Sequence, residues 1–197
     1  MDLGESASAL MPDLSSFGGW TFFFGIILLS SATPFPLFAT EAIVAWAGTQ
    51  APWFLVGIVA GFAGAIGELT TYVIGYGSEK LIAKKKHEGS RFHKAESIFD
   101  KWGFVSVIIF AFTPLPMDLM GLVGGVLHYD IKRFFLATLI GKIPRFMIIA
   151  FAGASIGAAI ENGDLSLEKI LSVSAIIAFV ALIGYLIYAS KKKKSSV

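Results

Sequence analysis

Five ionisable side chains stand inside stretches that are otherwise apolar: Glu41, Glu68, Asp118, Lys142 and Arg145. A charge in hydrocarbon is costly unless an opposite charge or water meets it, so such residues mark a site by default. Carboxyl groups held this way can load and release protons, the role expected of Glu41, Glu68 and Asp118. Two cations only three positions apart, Lys142 and Arg145, can capture an anionic head group, and a guanidinium suits two-pronged phosphate contact. Glu68 and Lys142 each lie near the middle of a long apolar run, which predicts an ion pair between them. The alternative is that the five charges only satisfy backbone groups freed by Pro34, Pro36, Pro114, Pro116 and Pro144.

Other chemistries are thinly supported. There is no cysteine, and His87, His93 and His128 show no ligand spacing, so neither metal nor cofactor is expected. Residues 153–157, Gly-Ala-Ser-Ile-Gly, match the pattern of a serine-hydrolase elbow, but no strand-turn-helix context or histidine partner accompanies them. Paired catalytic aspartates are missing too, so the chain is not expected to be an enzyme.

The elements that must position these residues are membrane helices. Hydrophobic residues make up 55% of the 197, charged residues only 15%, with 18 Phe and 21 Gly, a composition for bilayer rather than water. Apolar runs cover 17–33, 35–48, 53–83, 104–113, 117–127, 134–160 and 170–189. Only the third, sixth and seventh comfortably reach the roughly 20 residues that cross hydrocarbon. The fourth and fifth meet at Thr113-Pro114-Leu115-Pro116. At about ten residues each they could reach only about 15 Å, so the chain should turn back at half depth. Irregular backbone at that depth must be buried in protein or line a wet cavity.

The same pattern, Thr33-Pro34-Phe35-Pro36, occurs 80 positions earlier. Each hairpin is followed by a long helix, which predicts an internal repeat. The fold class expected is all-α integral membrane: an inverted repeat of a re-entrant hairpin plus a transmembrane helix, with one additional C-terminal transmembrane helix. The whole chain reads as one membrane domain: an N-terminal tail (1–16), repeat one (17–83), an amphipathic cytoplasmic connector (84–102), repeat two (103–160), a C-terminal span (168–190) and a basic tail (191–197). Lysines and arginines gather in 80–101, at Lys132 and Arg133, and in 191–194, so these segments should be cytoplasmic. The acidic N-terminus, with no basic flank typical of a signal peptide, should stay on and lie outside. A competing arrangement has 17–33 crossing fully. Gly57, Gly61, Gly64 and Gly67, Gly121 and Gly125, and Gly153 and Gly157 fall at three- and four-residue steps, as close helix packing in lipid requires.

Over residues 31–157 these features resemble the DedA family, members of the VTT-domain superfamily. The resemblance rests on a proline-rich first hairpin followed by Glu41 and Gly48, on Gly67, Glu68, Tyr72 and Gly75, and on Gly124-Gly125, Phe134-Phe135 and Gly141. Many DedA proteins carry arginines around the second hairpin proline; here Ala111 and Met117 occupy those places, and Lys142 or Arg145 would supply the charge. The resemblance implies facing re-entrant hairpins and movement of lipids or lipid-linked phosphates between leaflets, in some members linked to protons. The expected function is therefore a membrane transporter or scramblase for an anionic lipid, a polyisoprenyl phosphate being one candidate. A proton-coupled exporter of small solutes and a non-catalytic assembly factor are the alternatives. A homo-oligomer is compatible with this reading, and no nucleic acid partner is expected.

Overall fold

A computed structural model describes residues 13–33, 39–83, 90–113 and 117–162, and among them it is all-helical. The helices are α1 (Phe17–Ala32), α2 (Ala39–Gln50), α3 (Trp53–Ala83), α4 (Ser90–Phe112), α5 (Met117–Val126) and α6 (Ile131–Glu161). The four hairpin prolines Pro34, Pro36, Pro114 and Pro116 lie outside the described residues, as do the C-terminal span expected at 168–190 and the basic tail.

Local chemistry sets the helix ends. The Ser16 hydroxyl accepts from the Gly19 N–H at 3.1 Å and opens α1, while the Asp130 carboxylate accepts from the Arg133 N–H at 2.7 Å and opens α6, each satisfying an orphan donor. At the end of α5 the Tyr129 N–H donates to the Gly124 carbonyl at 2.9 Å and the His128 N–H to the Gly125 carbonyl at 3.1 Å. This paired closure puts His128 in the left-handed region, φ 54°, where glycine is usual. Helix α6 continues through Pro144, whose missing N–H leaves the Ile140 carbonyl without its usual helical partner.

One boundary differs from the sequence reading. The connector expected at 84–102 and the arm expected from 104 are, from Ser90 onward, a single 23-residue helix. Nothing in 90–112 breaks it, since Gly103 is the sole glycine there and no proline occurs; Gly103 instead makes room for Phe99 and Tyr129.

The two long helices, α3 and α6, run antiparallel at the centre, with Gly57 against Met147, Gly61 against Ile143, and Gly64 against Lys142 and Phe146. The short helices then pack in an exchanged way. Helix α1 lies on α3 and α4 on α6, each on the long helix that follows it, but α2 lies on α6 and α5 on α3. At these last two crossings glycine brings backbone onto backbone: Gly48 on Ala150 and Gly153 on Ala45, then Gly125 on Tyr72 and Gly75 on Leu122. Only residues without a Cβ permit that approach.

Two apolar cores result. One joins Phe23, Ile27, Val44, Val56, Ala60, Phe146 and Ala150. The other joins Tyr72, Val107, Ala111, Met117, Phe134 and Ala137. The mid-helix charged residues of both long helices fall between the two cores, Glu68 on α3, Lys142 and Arg145 on α6. Two stretches, Trp53–Ser78 and Ile131–Glu161, are long and apolar enough to cross a membrane. Their large exposed residues, Phe54, Phe62, Ile66 and Val73 on one and Leu136, Ile140, Phe151 and Ile160 on the other, are what lipid-facing surfaces carry.

Candidate functional site

The four charges at the centre form two ion pairs. Lys142 Nζ donates to Glu68 Oε1 at 2.9 Å, to the Gly64 carbonyl at 3.2 Å and to Ser31 Oγ at 3.3 Å. An ammonium has three protons, so this lysine is fully satisfied. It also ties α6 to α3 and to α1. Three residues on, Arg145 Nη2 reaches Glu41 Oε1 at 2.5 Å and Nη1 donates to the Thr113 carbonyl at 3.2 Å. Thr113 directly follows α4, where the last carbonyls have no helical partner, so one guanidinium bonds both α2 and the end of α4.

The pairs differ in access. The side chains of Lys142 and Glu68 are each 6% exposed, whereas Arg145 is 16% and Glu41 46% exposed. The inner pair is sealed and the outer one open. Burying the inner pair is tolerable because the cation is completely hydrogen-bonded, yet Glu68 is not: its Oε2 is buried with no hydrogen-bond partner among the described residues. Such an atom is expensive unless a proton or water serves it. Asp118, at the start of α5 and partly buried, acts electrostatically on both Lys142 and Glu68, so all five residues singled out by type share one locality. Of the described residues, no group of three His, Asp or Glu is arranged to hold a metal ion.

The Gly-Ala-Ser-Ile-Gly stretch at 153–157 lies inside α6. Ser155 donates to the Phe151 carbonyl at 2.8 Å as an ordinary helix serine, and Gly153 serves the crossing with α2.

Comparison with known families now bears on a defined geometry. The family model described as VTT domain matches residues 33–155, a span that holds α2 to α5, most of α6 and all five charges. The chain belongs to the VTT-domain, or DedA, family. Uncharacterised relatives include a protein of Methanocaldococcus jannaschii, 32% identical over 127 residues, 62% of this chain and 78% of that one. YqeD of Bacillus subtilis is 24% identical over 184 residues, 91% of this chain and 83% of its own. No solved structure matches.

The motif residues of this VTT domain have physical work to do. Gly48 and Gly75 sit at the two backbone crossings described above. The Tyr72 hydroxyl donates to the Tyr129 carbonyl across the end of α5, a buried bond, with its ring 5.3 Å from that of Phe134. Tyr72→Phe is expected to cost about 1 kcal/mol, because it removes a buried hydrogen bond; thermal unfolding in detergent measures it.

Sequence reasoning missed three participants: Ser31, the Gly64 carbonyl and the Thr113 carbonyl. Two of these had a signal, since Ser31 and Thr113 are small polar residues closing an apolar arm just before its proline turn. In the arginine places, Ala111 and Met117 are buried in apolar packing, and it is Arg145 that contacts the chain between them, at the Thr113 carbonyl.

Proposed function

We propose that this VTT-domain protein is a membrane transporter or scramblase that carries an anionic lipid or lipid-linked phosphate between leaflets, linked to protons, and that it does no covalent chemistry. The observation that carries the reading is the five-charge cluster at half the length of both long helices, with one ion pair sealed and one open. The open pair is the entry: a phosphate displaces the half-exposed Glu41 carboxylate from Arg145, whose planar fork fits two phosphate oxygens. The sealed pair is the lock, since Lys142 is free to meet the phosphate only when Glu68 lets go, and full protonation of the acids beside it, Glu68 and Asp118, removes the charge that holds it.

Charge balance gives the coupling its sign. Three carboxylates and two cations leave the cluster at −1 when all are ionised. An arriving phosphate makes it more negative, so low-dielectric surroundings favour simultaneous uptake of protons. Phosphate and proton then travel together.

The architecture proposed with it is an inverted repeat of two re-entrant hairpins in a multi-pass cell-membrane protein, N-terminus outside and C-terminus cytoplasmic. The exchanged packing supports it, because swapping α1, α2, α3 for α4, α5, α6 reproduces the principal packings: α1 on α3 becomes α4 on α6, α2 on α6 becomes α5 on α3, and α3 against α6 maps onto itself. So does the position of the arms' ends: Ala32 and Phe112 finish beside Thr70 and Gly141, partway along their long helices.

Proteoliposomes with a labelled polyisoprenyl phosphate and an imposed pH gradient test the function. The wild type is expected to move the lipid faster when protons flow in the same direction. Arg145→Ala and Glu68→Gln are expected to slow it about ten- to hundredfold, the equivalent of the 1.5–3 kcal/mol typical of a charged hydrogen bond. Wild-type rates in both variants would refute the proposal.

A further inference from the structure

We propose that Glu68 and Asp118 form a single proton site, one proton shared between two carboxylates, and that Glu41 does not belong to it but is the counter-ion which the phosphate replaces. This rests on the transporter reading and divides its three acids into two jobs.

The first support is registration of the two halves. At the crossing of α2 with α6, Ala45 and Gly48 meet Gly153 and Ala150; at the crossing of α5 with α3, Leu122 and Gly125 meet Gly75 and Tyr72. Ala45 and Gly48 therefore correspond to Leu122 and Gly125, each 77 positions on, and by the same step Glu41 corresponds to Asp118. On the long helices Tyr72 and Gly75 correspond to Ala150 and Gly153, 78 positions on, and the counterpart of Arg145 falls at position 67, beside Glu68. The place where one half sets a guanidinium against Glu41 is Gly67 in the other half, so Asp118 has no cation there, and the Glu68 carboxylate stands on the next residue.

The second support is direct. Gly121 on α5 lies against Thr71 on α3, and one helical turn back on each of these helices stand Asp118 and Glu68, which interact electrostatically. Glu68 Oε2 is the buried oxygen without a hydrogen-bond partner among the described residues. Two carboxylates so placed cannot both be ionised cheaply, and one shared proton supplies the missing donor. It also brings the cluster from −1 to neutral. The charged groups acting on the pair come from α6, Lys142 on both acids and Arg145 on Glu68; α1 carries no ionisable residue. Lys142 bonds Glu68 through Oε1, which leaves Oε2 for the proton. Glu41, by contrast, is half exposed and already occupied by Arg145.

Infrared spectroscopy of the purified full chain in liposomes, without added lipid phosphate, reads this directly. At neutral pH the wild type should show one carbonyl-stretch band of a protonated carboxylic acid. Glu68→Gln and Asp118→Asn should each abolish that same band, while Glu41→Gln leaves it. A band that survives Asp118→Asn, disappears in Glu41→Gln, or is removed by exchanging potassium for sodium would overturn the shared-proton site. Because the readout needs no transport, lipid movement without the band sinks the proton site alone, and the band without lipid movement sinks the transporter reading alone.

Discussion

Replacing Lys142 with alanine is expected to lower the protein's stability by about 3–5 kcal/mol, the largest loss anticipated for any single site, because it leaves the negative charge shared by Glu68 and Asp118 buried and uncompensated. The side chain also ends three hydrogen bonds at once, to Glu68, Gly64 and Ser31. A buried ion pair is a weak source of net stability, however, since desolvation offsets most of its attraction. The double variant Glu68→Leu/Lys142→Met should therefore recover most of what Lys142→Ala loses, and still fail to move lipid. Thermal unfolding in detergent paired with the liposome assay separates the two effects. A double variant as unstable as Lys142→Ala would mean that the pair is there to hold the helices together, and one that transports normally would remove it from the mechanism.

The second large effect is steric. A Cβ on Gly153 would run into the Ala45 carbonyl, and one on Gly125 into the Tyr72 carbonyl, and backbone cannot step aside as a side chain can. Gly153→Leu and Gly125→Leu should each cost about 1–3 kcal/mol or more through overpacking. Gly25, with nothing within 4 Å of a Cβ, is the control: Gly25→Leu should be neutral or slightly stabilising through helix propensity. Equal melting temperatures for all three variants would show that the α2–α6 and α3–α5 crossings are not close.

Much of this architecture can be read from residue types. Long apolar runs gave the two central helices, glycine spacing marked the close faces, and the misplaced charges named the site before any partner was known. Pairing is another matter. Periodicity fixes a helix and its buried face but not the neighbour that face meets, so nothing in the sequence of α2 says that Gly48 rests on α6 rather than on α3. Glu41 could be recognised as costly, yet its attachment to a guanidinium 104 positions away depends on that exchange. Backbone acceptors are harder still, because every residue has a carbonyl and only the fold shows that those of Gly64 and Thr113 face a cation. The continuity of α4 was obscured by a composition change near residue 103, where polar sequence gives way to apolar, a change of surroundings without a change of conformation.

Native mass spectrometry of the full chain extracted together with its surrounding lipids tests the central claim, that the charge cluster receives an anionic phosphate head group. Wild-type protein is expected to retain a phosphate lipid that Arg145→Ala protein loses. Retention of neutral lipid alone, or equal retention of the phosphate lipid by both proteins, would contradict it.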